Sequence, residues 1–136
     1  MTPLPNEGNP VSGTIMTVDD SPSMRMLLKA ALTDLGYKVL EAEDGLQALE
    51  RLDGAQTSGH GPDLLITDIN MPRLDGFGLI ERVREQDRHR NLPILVLTTE
   101  SSDEKKQRAR SAGATGWIVK PFHPDKLAAA IRRVLH

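Results

Sequence analysis

The chain has no cysteine, so disulfides, thiolate metal sites and cysteine nucleophiles are excluded. Aromatic residues are nearly as scarce, at one Trp, one Tyr and two Phe, which leaves few stacking platforms for a nucleic acid. No apolar run approaches the ~20 residues of a membrane-spanning helix. The opening MTPLPNEGNPVSG lacks the basic region and apolar stretch of a secretory signal. The expected location is therefore the cytoplasm, with neither membrane nor nucleic acid as partner. No internal repeat or low-complexity block is present. What remains is a chain of 136 residues, a length that suits one domain with one good core.

Charge is unevenly distributed. Residues 101–136 carry eight Lys/Arg and three Asp/Glu, whereas residues 1–100 carry nine and sixteen. The basic end is either a solvated face or a surface for an acidic protein partner. Residues 1–13, with Pro3, Pro5 and Pro10 in a polar context, read as a flexible arm, and 14–136 as the domain.

From Thr14 the pattern alternates. Short apolar runs at Thr14–Asp19, Lys38–Ala42, Asp63–Thr67, Pro93–Leu97 and Thr115–Val119 predict strands. Helical spacing predicts helices over Pro22–Leu35, Asp44–Leu52, Gly76–Asp87, Ser102–Ala112 and Pro124–Leu135, with a loop over Gly54–Pro62. In the first helix the stripe is Met24, Leu27, Leu28, Ala31, Leu32 and Leu35, with Ser21 as cap and Pro22 at the first position. The fourth helix has only Ala109 and Ala112 on its apolar side and is expected to pack loosely. Strand-helix alternation with near-continuous apolar strands predicts an α/β, doubly wound, five-stranded parallel sheet in the order 2-1-3-4-5, with five helices on its two faces.

In such sheets ligands bind beyond the C-terminal strand ends. There the sequence places Asp19 and Asp20 after the first strand, Asp68 after the third, Thr98, Thr99 and Glu100 after the fourth, and Lys120 after the fifth. Each has a bland reading: paired Asp as a turn or cap, a strand-end Thr bonded to backbone, Lys at the surface. Their coincidence at successive strand ends is what points to chemistry. Strands 1 and 3 are expected neighbours, so three carboxylates converge and require a cation. Oxygen ligands without Cys or nearby His favour Mg²⁺. A free carboxylate, a lysine and a hydroxyl beside a metal are the parts that stabilise phosphoryl transfer onto an aspartate. His60, His89, His123 and His136 are scattered over loops and the C-terminus and are assigned no chemistry.

The segments VDDS at 18–21, DINMPRLDG at 68–76, LTTE at 97–100 and VKPF at 119–122 resemble the response-regulator receiver domain, with its flavodoxin-like fold, over roughly residues 14–135. The resemblance implies that Asp68 is the phosphoacceptor, phosphorylated by a histidine kinase in a two-component system. It implies that Asp20 binds Mg²⁺ directly, that Asp19 acts through water, and that the Asn70 backbone carbonyl is a further ligand. Thr98 would bond the phosphoryl group, Lys120 would pair with it, and the Lys120–Pro121 peptide would be cis. Asn70 and Glu100 would tune hydrolysis. Trp117 would occupy the rotating aromatic position of the switch, commonly Tyr or Phe. TTES–DEKK and GATGWIVKPF are similar to the chemotaxis, CheY-like branch, in which the face of helix 4, strand 5 and helix 5 contacts the flagellar motor switch. Here that face would carry Lys105, Lys106, Arg108, Arg110, Lys126 and Arg132 or Arg133.

No room follows the last helix for a DNA-binding output domain, so output is expected through the domain's own surface, as a monomer. The protein would be a slow self-phosphorylating and self-dephosphorylating regulator rather than an enzyme. An alternative keeps the chemistry but makes it a phosphate sink or phosphorelay intermediate. Another is a small aspartyl-nucleophile phosphatase, disfavoured because the haloacid-dehalogenase type wants a second Asp where Asn70 stands.

Overall fold

The structure, a computed structural model, describes residues 13–57 and 61–135. The arm expected over 1–13 lies outside these residues apart from Gly13, as do His60 and His136. In chain order the elements are β1 (Thr14–Val18), α1 (Pro22–Asp34), β2 (Lys38–Ala42), α2 (Gly45–Thr57), β3 (Leu64–Thr67), α3 (Gly76–Arg84), a 3₁₀ turn (Asp87–His89), β4 (Ile94–Thr98), α4 (Asp103–Ala112), β5 (Gly116–Val119) and α5 (Pro124–Val134). The five strands form one parallel sheet in the order β2-β1-β3-β4-β5, as the alternation predicts.

The alternation of side chains along each strand divides the core. Met16, Val18, Leu65, Ile94 and Val96 face α2, α3 and α4, meeting Leu52, Phe77, Ile80 and Ala109. Ile15, Leu64, Ile66, Leu95 and Leu97 face the other way, onto Leu28 and Leu32 of α1 and Leu127 and Ile131 of α5. Because β3 and β4 are covered on both faces, every residue in them is buried.

Three local expectations change. In α1 the cap is as read, with the Ser21 hydroxyl accepting from the Met24 amide at 3.2 Å. Leu27, however, is 57% exposed, beside Met26 at 71%. One residue turns a helix by about 100°, so once Leu28 and Leu32 define the buried arc, Leu27 falls at its margin. Helix α2 continues through Gly54 to Thr57 rather than ending at Leu52. A glycine inside a helix costs only about 1 kcal/mol, which does not by itself end one. Helix α3 stops at Arg84, and the chain folds back through the 3₁₀ turn. That turn buries His89 to 2% exposure, so it is an interior residue rather than a loop one. Burial pushes the His89 imidazole below its ordinary pKa, helped by the nearby Arg88 and Arg84 charges and opposed by Asp53.

Candidate functional site

Parallel pairing carries the strand ends to one edge of the sheet. Val18 is in register with Thr67, and the Asp68 amide donates to the Val18 carbonyl at 2.9 Å, so Asp19 and Asp68 emerge side by side. Thr98 is in register with Val119, and the Lys120 amide donates to the Thr98 carbonyl at 2.7 Å. Backbone hydrogen bonds thus position Asp19, Asp68, Thr98 and Lys120 before any side chain is considered.

The side chains then close on one another. Lys120 Nζ lies 2.8 Å from Asp19 Oδ2 and 2.9 Å from Asp68 Oδ2. Asp19 is 1% exposed and Asp68 8%. Asp19 Oδ1 accepts from the Ser21 amide at 2.9 Å, and Asp68 Oδ1 from the Ile69 amide at 2.6 Å. Asp20 is exposed, and one carboxylate oxygen from each of Asp19, Asp20 and Asp68 lies within 4.8 Å of the others. Burial works to deprotonate Lys120, but its hydrogen bonds to Asp19 and Asp68 and their charges outweigh it and raise its pKa, so the ammonium is retained.

Three carboxylates against one ammonium leave an excess of negative charge at a partly buried point. Among the described residues Asp20 makes no hydrogen bond or ion pair, so its oxygens face the cluster unpaired. This all-oxygen donor set fits a hard divalent cation.

Thr98 is buried, and its hydroxyl accepts from the Glu100 amide at 3.4 Å, a long bond that leaves its own proton unassigned. Asn70 and Glu100 meet directly, Nδ2 to Oε2 at 3.0 Å. Trp117 is half-buried, and its Nε1 donates to the Glu100 carbonyl at 3.1 Å. The Lys120–Pro121 peptide is cis. Of the site residues singled out from the sequence, Asp19, Asp20, Asp68 and Lys120 are brought together here. Thr98 is tied to Lys120 through its backbone carbonyl, and Asn70, Glu100 and Trp117 form a second linked set.

Several supporting residues were not legible in the sequence. Arg25 Nη1 donates to the Asp19 carbonyl at 2.6 Å. Arg73 clasps the Asp44 carboxylate through Nε at 2.8 Å and Nη2 at 3.1 Å, tying the segment after Asp68 to the start of α2. That hydrogen-bonded pair holds the Asp44 carboxyl below the usual range. Arg73 takes φ 68°, the one positive φ outside glycine among the described residues. Gly76 is forced by proximity, since a Cβ there would sit 2.3 Å from the Asp68 carbonyl oxygen. The DINMPRLDG run signals Gly76, but no local pattern signals Arg73–Asp44, whose partners lie 29 residues apart.

Comparison with known proteins gives the same picture. The family model for the response regulator receiver domain matches residues 15–132. The chain is 42% identical over 123 residues to chemotaxis protein CheY1 of Helicobacter pylori, covering 89% of this chain and 95% of that one. Among solved structures it is similar to chemotaxis protein CheY4 of Vibrio cholerae, at 44% identity and a TM-score of 0.82, covering 92% of this chain and all of that one. It is also similar to the receiver domain of sensor histidine kinase PA1611 from Pseudomonas aeruginosa, at 28% identity and a TM-score of 0.80, covering 90% of this chain and 97% of that one. That receiver domain was crystallised with a magnesium ion coordinated in its active-site cleft.

Proposed function

The chain belongs to the response regulator receiver family, and on that premise we propose that Asp68 accepts a phosphoryl group from a histidine kinase and that the phosphorylated domain signals by protein contact in chemotaxis. The observation that carries the reading is the Asp68 carboxylate itself. It is nearly buried, oriented by the Ile69 amide on Oδ1 and by Lys120 on Oδ2, and set against two further carboxylates. In the transfer, an Asp68 oxygen forms a bond to phosphorus as the bond from phosphorus to the donor nitrogen breaks, and that electron pair returns to the imidazole.

Asp19, Asp20, Asp68 and the Asn70 backbone carbonyl are the residues that would hold Mg²⁺. When bound, the ion neutralises charge on the phosphoryl oxygens. The acidic cluster supports this assignment, as does the magnesium in the similar receiver domain. Lys120 supplies a second positive group, already paired with both buried aspartates. The Thr98 hydroxyl has a proton to donate to a phosphoryl oxygen. A shift of Thr98 toward the phosphoryl group would pull on the β4–α4 segment, and Trp117 is bonded to that segment at Glu100. These groups supply slow self-phosphorylation from small donors and slow loss of the phosphoryl group to water. Asn70 and Glu100, hydrogen-bonded to each other, are the residues that would tune that loss. Asn70 offers an amide and no acid, which weighs against an aspartyl phosphatase.

The chemotaxis assignment draws on the named relatives. Its output surface would be α4, β5 and α5, where Lys105, Lys106, Arg108 and Arg110 line one helix. The decisive test is labelling with acetyl phosphate and Mg²⁺. Wild type should incorporate phosphate and Asp68→Ala should not, while undiminished labelling of the variant would sink the central claim. Capture of a motor-switch protein by the beryllofluoride-loaded domain tests the output; no gain over the untreated protein would count against the messenger role.

A further inference from the structure

Glu100 stands at a crossing. Its carbonyl accepts from Trp117, and its amide donates to Thr98. Its two carboxylate oxygens serve different partners: Oε2 accepts from Asn70 Nδ2 at 3.0 Å, and Oε1 faces Lys105 Nζ at 3.1 Å. The hydrogen bond from Asn70 and then that from Lys105 hold the Glu100 carboxyl below its ordinary range, so it is charged at neutral pH. Asn70 lies two residues beyond Asp68, and Lys105 lies within the first turn of α4. One side chain therefore links the segment after the acceptor to the helix that carries the basic surface. The Lys105 and Glu100 side chains are 43% and 27% exposed. A pair so placed adds little to stability, so its consequence is geometric.

We propose that Lys105 is a positioning residue that acts through Glu100 to restrain the Asn70 carboxamide, and that the α4 surface thereby sets how fast the phosphoryl group on Asp68 is lost to water. The inference rests on Asp68 being the acceptor. In that loss a water oxygen bonds to phosphorus while the bond between phosphorus and the Asp68 oxygen breaks. The electron pair returns to the carboxylate, and both water protons leave with dihydrogen phosphate. A carboxamide beside the acceptor is suited to orient such a water, as a glutamine does in GTP hydrolysis. While Asn70 Nδ2 donates to Glu100, its rotation is restrained. Removing Lys105 leaves Glu100 with one side-chain partner in place of two, and Asn70 turns more freely. An acidic partner segment that takes Lys105 for itself does the same. Docking on α4 and loss of the signal are then linked, and a partner that recruits Lys105 shortens the signal it reads.

The test follows the decay of phosphoprotein after acetyl phosphate is removed, in wild type, Lys105→Ala, Lys105→Arg, Asn70→Ala and the Lys105→Ala/Asn70→Ala double variant. Lys105→Ala should decay about two- to fivefold faster, the leverage of an exposed ion pair. Lys105→Arg should decay at the wild-type rate, and the double variant no faster than Asn70→Ala alone. The denaturation midpoint and the fluorescence of Trp117, the chain's one tryptophan, should not change in Lys105→Ala. Equal decay of labelled Lys105→Ala and wild type would overturn the latch, as would an acceleration that survives in the double variant. Failure of wild type to label at all would instead overturn the phosphoacceptor reading, and the latch with it.

Discussion

Helices α4 and α5 lie on opposite faces of the sheet at its β5 edge, yet they are held by different physics. Helix α5 buries Leu127, Ala128 and Ile131 against the core. Helix α4 buries Ala109 alone. In place of apolar side chains it uses polar links. Lys105 pairs with Glu100 near its start, and the Arg108 guanidinium stacks 4.1 Å from the Phe77 ring centre. At its end the Arg84 guanidinium donates to the Gly113 carbonyl from Nε at 3.1 Å and from Nη2 at 2.8 Å, and to the His89 carbonyl from Nη1 at 2.8 Å. Apolar burial resists any displacement in proportion to the area re-exposed. Polar links of this kind can be exchanged one for another at low net cost. The contrast explains why one basic helix near the site is suited to move while its neighbour anchors the sheet.

The largest expected effect lies on the anchored side. Ile131→Ala removes a fully buried side chain and should destabilise the fold by about 3 kcal/mol in urea denaturation. If it costs no more than an α4 surface substitution, the contrast between the helices fails. Next comes Arg84→Ala, which leaves the Gly113 and His89 carbonyls without their guanidinium partner. Charge-assisted hydrogen bonds of this kind predict a loss of about 2 kcal/mol, accompanied by faster amide exchange in α4 and unchanged exchange in α5. Equal acceleration in both helices would show that they move as one unit.

The smallest effect is pH-dependent. His89 is buried neutral and its folded pKa is depressed. The unfolded chain therefore takes up the proton first as pH falls below about 6.5. Stability should be greatest above that value, decline as pH falls toward the folded pKa, and level off beneath it. The charges facing this imidazole are Arg84 from α3, Arg88 from the turn and Asp53 from α2. His89→Leu should flatten that decline, and an unchanged pH profile would remove His89 from the account. Because Arg84 bonds the His89 carbonyl, amide exchange at the end of α4 should follow the same pH curve.

Legibility tracks the range of the interaction. The strands β1, β3 and β4 were readable because burial on both faces leaves a near-continuous apolar run. The site was readable because strand ends in a parallel sheet share one edge, so Asp19, Asp20, Asp68, Thr98 and Lys120 could be grouped by position alone. Leu27 was misplaced because helical periodicity marks a stripe and not its limits, which packing against the sheet decides. The end of α2 lies beyond Leu52 because one glycine, at about 1 kcal/mol, is too weak a signal to stop a helix. His89 had no periodic signal, and its burial follows from the 3₁₀ turn that returns the chain to β4.

The sequence by itself therefore determined the alternation of strands and helices and the set of groups at the strand ends, both of which follow from local periodicity. The order β2-β1-β3-β4-β5 agrees with the common small version of that architecture, and the pairing of the strands fixes it. Only the tertiary structure decided which groups hold one another: Lys120 across both buried aspartates, Arg73 on Asp44, and Lys105 on Asn70 through Glu100. Such pairings depend on distances of a few ångströms between residues far apart in the chain. No local pattern carries that information, because it arises only when the elements pack.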